Sequence, residues 1–469
     1  MRTLTILLIA FFQFLGLAAQ DITGQWNGVL NVPGAQLRLF FNVAKTGNAF
    51  SATLDSPDQG AHGIPVTSMT FENPKIKFKI ANLKIEYNGE LKGNEIVGTS
   101  AQGGAKFPMN LTRKTTNGGS VWKPARPQEP GKPFPYHSEE VFFHNKEANI
   151  TLSGTLTLPQ REGAFPVVIL ISGSGPQNRD EEMFGHKPFL VIADHLTKNG
   201  IGVLRYDDRG VGRSGGNFAV ATPADFATDA ESAIAYLKTL KGIDAKKIGL
   251  AGHSEGGSIA PMVACKSGDV AFVVLLASPG IRGDRLLLMQ QKLIGEASGV
   301  RDEILQKSEV AHREIFDIVI RSDDLARLKN DLTGHIRKVF KENPAVKKPV
   351  GMGEEDFIRA QVEAIATPWM QYFVRYDPAT ALGKARCPVL ALNGGKDLQV
   401  PAKANLKAIK EALAKGGNTR VETAEFQNLN HLFQECTTGH PNEYAIIEQT
   451  FSPAALDVIT KWIKGETDR

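Results

Sequence analysis

Five short apolar runs constrain this chain most: "FPVVILI", "IGVLRY", "KIGLAG", "FVVLLA" and "PVLALNG", all between Phe165 and Gly394. Each is short for a buried helix and lacks the alternation of a half-wet strand, so each reads as a strand covered on both faces. Stretches with helical spacing lie between them. Pro188 to Asn199 is one. "PADFATDAESAIAYLKTLKG" is another, with Pro223 and Asp225 near its start and Gly242 after its end, the punctuation of a capped helix. Strand and helix in alternation predict a doubly wound, mostly parallel α/β sheet. "EEVFFHN" and "ITLSGTLTLP", just upstream, read as an opening hairpin. The alternation lapses between about residues 281 and 380, where helical patterns persist without a strand and Ile304, Ala311, Ile315 and Ile318 mark one amphipathic face. A helical insertion of that size between two strands predicts a cap over the strand ends.

Residues 21–115 follow another rule. "QLRLFFNV", "KIKFKI" and "LKIEYN" alternate apolar and polar residues with a period of two, as antiparallel strands with one wet face do. A small all-β, barrel-like domain is expected, with Trp26 as a core plug. Residues 116–136, dense in Pro and Gly, read as a linker. The α/β remainder is 137–469, and a chain of 469 residues suits such a multi-domain layout.

Residues 1–20 carry one Arg, an apolar run from Leu4 to Leu17 and small residues at Ala18 and Ala19. They read as a cleaved secretory signal, the run falling short of the roughly 20 residues of a spanning helix. A secreted or periplasmic protein without stable membrane insertion is expected. Cys265, Cys387 and Cys436 are too few and too odd for a disulfide framework. With 54 basic against 50 acidic residues and no basic stripe, nothing favours nucleic-acid binding. No His/Cys/Asp cluster has metal-ligand spacing, and "GVGRSGG" lacks the Lys of a phosphate loop, so neither metal nor cofactor is expected.

The pattern Gly-x-Ser-x-Gly occurs twice, around Ser214 and around Ser254. Ser214 lies in "YDDRGVGRSGGN", a glycine-rich loop with no immediate helix pattern. Ser254 follows the strand "IGLAG" directly and precedes "GGSIAPMVA", a helix beginning with small residues. A nucleophile on a tight strand-to-helix turn needs that second setting. A serine hydroxyl also needs a base, and the base an orienting carboxylate. Asp397, in the turn after "VLALNGG", and His431, in the loop after "VETAEF", stand in the expected order. An oxyanion would be held by two backbone N–H groups: Glu255, next to Ser254, and Ser174 in "SGSGPQNRD", with Gly175 beside it. His253 should point away from Ser254. Arg179 and Asp180 read as a loop ion pair.

"SGSGPQNRD", "YDDRGVGRSGG", "GHSEGG", "GGKDLQVP" and "NHLFQ", in this order, resemble segments of α/β-hydrolases, in particular secreted bacterial two-domain serine esterases with an N-terminal β domain. Ser172 stands where many relatives have His, which alters the surroundings of the hole and not its donors. The resemblance implies hydrolysis of a small-molecule acyl ester of short chain through an acyl-enzyme on Ser254. "TPWMQYFVRYDP" resembles the cap-to-sheet segment of these esterases, so Trp369, Met370 and Phe373 would wall the acyl pocket. The triad of Ser254, Asp397 and His431 would equally serve a peptidase or thioesterase. A peptidase would need an acidic pocket for a free amino terminus, for which Glu354 and Glu355 of the cap are available. A binding protein with a dead hydrolase domain is the non-enzymatic alternative, and a homodimer through the cap or the β face is compatible with the sequence.

Overall fold

The computed structural model describes residues 21–32, 35–46, 49–56, 61–81, 85–102, 105–113, 126–342 and 353–468. The expected signal segment 1–20 and the first part of the expected linker lie outside the described residues. The chain divides into two compact units, one ending at Val121 and one beginning at Trp122.

The first unit is a single antiparallel sheet. Its strands are β1 (Gly24–Val32), β2 (Ala35–Thr46), β3 (Ala49–Ser56), β4 (Ala61–Pro65), β5 (Ser68–Glu72), β6 (Lys75–Ile80), β7 (Ile85–Lys92), β8 (Glu95–Gln102), β9 (Ala105–Pro108) and β10 (Leu111–Arg113). They run in the order β4-β3-β2-β1-β10-β8-β7-β6-β5, with β9 on β8. The two edge strands, β4 and β5, are separated in sequence only by Val66 and Thr67, so the sheet has to curl until its edges approach. Val66 N–H donates to the Ala52 carbonyl on one side, and Thr67 N–H to the Lys79 carbonyl on the other. The period-two pattern then sends one set of side chains inside this half-barrel: on β6, Ile76, Phe78 and Ile80 are buried and Lys75, Lys77 and Lys79 exposed. Trp26 is buried among them, its indole N–H on the Ile22 carbonyl at 2.9 Å.

The second unit holds β11 (His137–Asn145), β12 (Ile150–Leu158), β13 (Phe165–Ile171), β14 (Gly202–Tyr206), β15 (Ile243–His253), β16 (Val273–Leu276), β17 (Val389–Gly394) and β18 (Val421–Phe426). Their order is β11-β12-β14-β13-β15-β16-β17-β18. The first hairpin is antiparallel and pairs antiparallel with β14; every later pairing is parallel. Continuous apolar strands serve two cores at once. Val167, Ile169 and Ile171 of β13 face one core, with Ala230 and Ala233 of α2 (Pro223–Leu237) and Ile259 and Val263 of α3 (Glu255–Ala264). Val168 and Leu170 face the other, with Ile192 and Leu196 of α1 (Pro188–Lys198) and Leu456 and Ile459 of α11 (Pro453–Thr467). Each fully buried aliphatic side chain contributes about 1.5–3 kcal/mol.

Between β16 and β17 run α4 (Gly283–Ala297), α5 (Asp302–Arg321), α6 (Leu325–Glu342), α7 (Glu354–Ile365), α8 (Pro368–Arg375) and α9 (Ala379–Leu382). The first five share a separate core of Phe316, Val319, Leu328, Leu332, Ile358 and Val374, whereas Ala381 and Leu382 of α9 join a core of the sheet. Arg375 of α8 donates to the Val319 and Ser322 carbonyls, satisfying acceptors that the end of α5 leaves without helical partners. Residues 126–136, which read as linker, are fixed to this unit. Arg126 donates to the carbonyls of Phe184, Gly185, Ala445 and Ile447, and the hydroxyl of Tyr136 donates to Asp194. Proline and glycine there mark a non-regular backbone, which is not the same as a loose one.

Candidate active site

Strand order dictates where the site lies. From β13 the chain steps outward to β14, then returns to the other side of β13 as β15. Loops leaving the carboxyl ends of β13 and β15 therefore diverge around a crevice, the position at which open α/β sheets take ligands. The loop after β13 begins at Ser172, and the turn after β15 is Ser254.

Ser254 has φ 51° and ψ −119°, a left-handed backbone that a side-chain-bearing residue adopts at a cost. The surroundings enforce it. A Cβ on Gly252 would lie 2.1 Å from the Gly256 carbonyl oxygen, and one on Gly256 would lie 2.1 Å from that of Ile171. Only glycines allow β15, β13 and α3 to meet this closely. The Ser254 N–H is tied to the Leu276 carbonyl at 2.8 Å. Ser254 stays partly exposed while His253 and Glu255 on either side are buried.

Ser214 meets a different fate. Its hydroxyl donates to the Asp207 carbonyl at 2.7 Å and accepts from Ser153 N–H at 2.9 Å. It is buried and bonds the loop after β14 to β12.

Asp397 and His431 come together as the sequence predicts. Nδ1 of His431 lies 2.8 Å from Oδ2 of Asp397, whose other oxygen accepts the N–H groups of Gln399 and Val400, each at 2.8 Å. With Nδ1–H on the carboxylate, Nε2 of His431 is left to take a proton. Ser254 is joined to this pair through its neighbour: Nε2 of His253 lies 3.0 Å from the His431 carbonyl oxygen, and the two imidazole rings are 4.9 Å apart.

The loop after β13 closes on Ser254 from the other side. A Cβ on Gly173 would meet Cβ of Ser254 at 3.1 Å. Ser174 follows, beside the Glu255 carboxyl. Gly175 has φ 95° and turns the loop. Glu255 opens α3, so its N–H has no partner within the helix. Burial pushes the Glu255 carboxyl up to about 7, against the bonds it accepts from Ser174 and Trp369. Asp208 behaves alike. Burial raises it to about 7, although Ser172 Oγ and Gln177 N–H donate to it at 2.7 and 2.9 Å. Ser172 thus braces the loop through the "DDRG" turn.

Of the expected pocket residues, Gly175 lies in the loop after β13, and of the three from the cap Trp369 reaches the site, its indole N–H 2.8 Å from Oε1 of Glu255. Phe373 stacks on Trp369 at 5.0 Å. Met370 joins the cap's own core. Residues four apart share a helix face and adjacent ones do not, so the helix that turns Trp369 and Phe373 one way turns Met370 another. Glu355 pairs with Arg337 at 2.7 Å on the exposed side of the cap. Arg179 and Asp180 are paired, but not with each other: Arg179 forks onto Asp207, and Asp180 meets Arg205.

Sequence reasoning missed Glu181. Its side chain is fully buried, with Oε1 accepting Gly173 N–H at 2.7 Å and lying 2.9 Å from Nδ1 of His253. Burial lowers the affinity of His253 for its proton, but Glu181, the His431 carbonyl and Asp397 outweigh it, and its pKa is raised. No local signal marks this pair, which joins residues 72 positions apart.

An eight-stranded sheet of this order, a serine on a tight turn after its central strand and a helical cap between later strands define the α/β-hydrolase fold. A family model described as serine aminopeptidase, S33, matches residues 187–340. The esterase EstD of Thermotoga maritima is 27% identical over 304 residues, 64% of this chain and 62% of that protein. The similar region thus spans less than two thirds of that relative. An uncharacterized 31.7 kDa protein of Escherichia coli is 26% identical over 329 residues, 69% of this chain and 99% of that one. Among solved structures, the Pyrococcus furiosus esterase Pf2001 aligns at 17% identity and TM-score 0.42, covering 70% of this chain and 93% of that one.

Proposed function

We propose that this protein is an exported serine esterase that cleaves short-chain acyl esters. The observation that carries the reading is a strained, partly exposed Ser254 at the carboxyl end of β15, whose neighbour His253 is bonded to the backbone of the Asp397–His431 pair. In this mechanism Ser254 Oγ attacks the ester carbonyl carbon as its proton passes to Nε2 of His431. Asp397 holds the imidazole by Nδ1–H and stabilises the imidazolium. The N–H groups of Ser174 and Glu255 take the oxyanion. As the tetrahedral species collapses, the bond to the leaving oxygen breaks and His431 returns the proton to it, releasing the alcohol. Water, deprotonated by the same nitrogen, then attacks the acyl-serine and frees the acid.

Similarity to EstD favours an ester, and the bulk of Trp369, held one residue from the nucleophile, favours a short acyl group. The family description favours a second reading, a serine aminopeptidase. Against it, Glu355 is committed to Arg337. The leader-like residues 1–20 support export. Hydrolysis of p-nitrophenyl esters from acetyl to long chain, beside aminoacyl anilides, separates the readings. Fast turnover of the short esters is expected; preference for the anilides would replace the esterase by the peptidase.

A further inference from the structure

The mechanism leaves one buried ionisable pair unused. Glu181 and His253 lie under the nucleophile, within a set of hydrogen bonds reaching both sides of the site. Oε1 of Glu181 accepts Gly173 N–H, next to the expected donor Ser174, and faces Nδ1 of His253. Nε2 of His253 faces the main-chain carbonyl of His431. A carbonyl only accepts, so Nε2 carries a proton; a carboxylate only accepts, so Nδ1 carries one too. His253 is then an imidazolium, and Glu181 its counter-charge. Oε2 of Glu181 is buried without a partner among the described residues, which leaves this pairing to balance the carboxylate. Asp397 and His431 are the other ionisable groups facing the ring. Backbone strain accompanies the arrangement, Glu181 having φ 49°. Burying an ion pair is poor stability design, and here the pair spans two parts of a reacting site.

We infer that Glu181 and His253 form a positioning clamp, in which one carboxylate sets the oxyanion-side loop through Gly173 and, through the His253 ring, holds the backbone of the general base His431. This rests on the esterase reading above. Misplacement of a reacting group by about 1 Å costs about a hundredfold in rate, so the clamp acts on kcat and leaves substrate binding alone.

The test measures kcat and KM on p-nitrophenyl acetate for the full chain and for Glu181→Gln, His253→Gln, the double variant, Ser254→Ala and the exposed control Glu182→Gln. Serine-bearing variants are normalised to sites titrated with a fluorophosphonate. The clamp predicts that each single variant loses about ten- to hundredfold in kcat with KM within about twofold. It predicts that the double variant loses no more than the worse single one, since members of one unit are non-additive. Glu182→Gln stays at the wild-type rate. Kinetics of Glu181→Gln within about twofold of wild type, beside a silent Ser254→Ala, would remove the clamp alone. So would a double variant whose loss is the product of the single losses. An active Ser254→Ala would remove the esterase reading and the clamp with it. If the variants do not fold, the nitrogen-15 spectrum of the wild type decides. At pH 7.5, where an ordinary histidine is mostly neutral, His253 should show two protonated ring nitrogens, and a single protonated nitrogen refutes the clamp.

Discussion

Two stretches of this chain share the pattern Gly-x-Ser-x-Gly, and the fold puts them to opposite uses. Around Ser214 the glycines let a loop fold back on β12, so the hydroxyl turns inward and completes backbone hydrogen bonding. Around Ser254 they let a strand, a helix and a neighbouring strand crowd together, and Ser254 stays partly exposed on a strained backbone. Ser214 strengthens the interior, whereas Ser254 sits beside buried carboxyl groups that weaken it. The same short pattern gives a buried, hydrogen-bonded serine in one place and a partly exposed, strained one in the other, because what enters and leaves the turn differs.

The sharpest way to break this contrast is Ser254→Ala, expected to abolish esterase turnover by about a millionfold, while Ser214→Ala keeps kcat per folded molecule. Equal losses in the two variants would erase the distinction. Next in size, Asp397→Asn should lower kcat by about ten-thousandfold through the wrong His431 tautomer, with the thermal midpoint little changed. A smaller effect concerns the cost of the reactive site. Between its ordinary value of 4.5 and its raised value of about 7, the Glu255 carboxyl holds a proton in the folded chain that the unfolded chain has lost. Stability therefore falls as pH rises through that window. Glu255→Gln should raise stability by up to about 3 kcal/mol above pH 7 and by little near pH 5, read from denaturant titrations at both values. A gain independent of pH would rule out the charge as its source. Smallest is Ser214→Ala itself, which leaves Ser153 N–H buried without its acceptor. It should cost about 1–2 kcal/mol by chemical denaturation, and no loss would mean that the inward hydroxyl is dispensable.

Much of this was legible in the residues. The hairpin at 137–158, the parallel strands and the helical insertion follow from periodicity, and Ser254 was separable from Ser214 by its neighbours alone. The order of Ser254, Asp397 and His431 along the chain matched the order of strands. Less legible was the stretch 126–136, whose proline and glycine content conceals an Arg126 bonded to four carbonyls of the hydrolase unit. Met370 packs on the cap core, because that core sets how its helix is turned about its axis. Arg179 and Asp180 look like partners in sequence, yet each pairs with a different residue at the end of β14, Asp207 and Arg205.

Strand and helix, turn and cap depend on residues a few positions apart, whose steric and hydrogen-bonding preferences act before any long-range contact forms. That is why the alternation of elements and the tight turn at Ser254 could be read from the chain. The partners of buried charges depend on which distant segments the sheet order brings within about 3 Å of each other. Glu181 with His253, Asp208 with Ser172 and Trp369 with Glu255 were settled there, because a charge removed from water is held by whatever complementary group the packing places beside it.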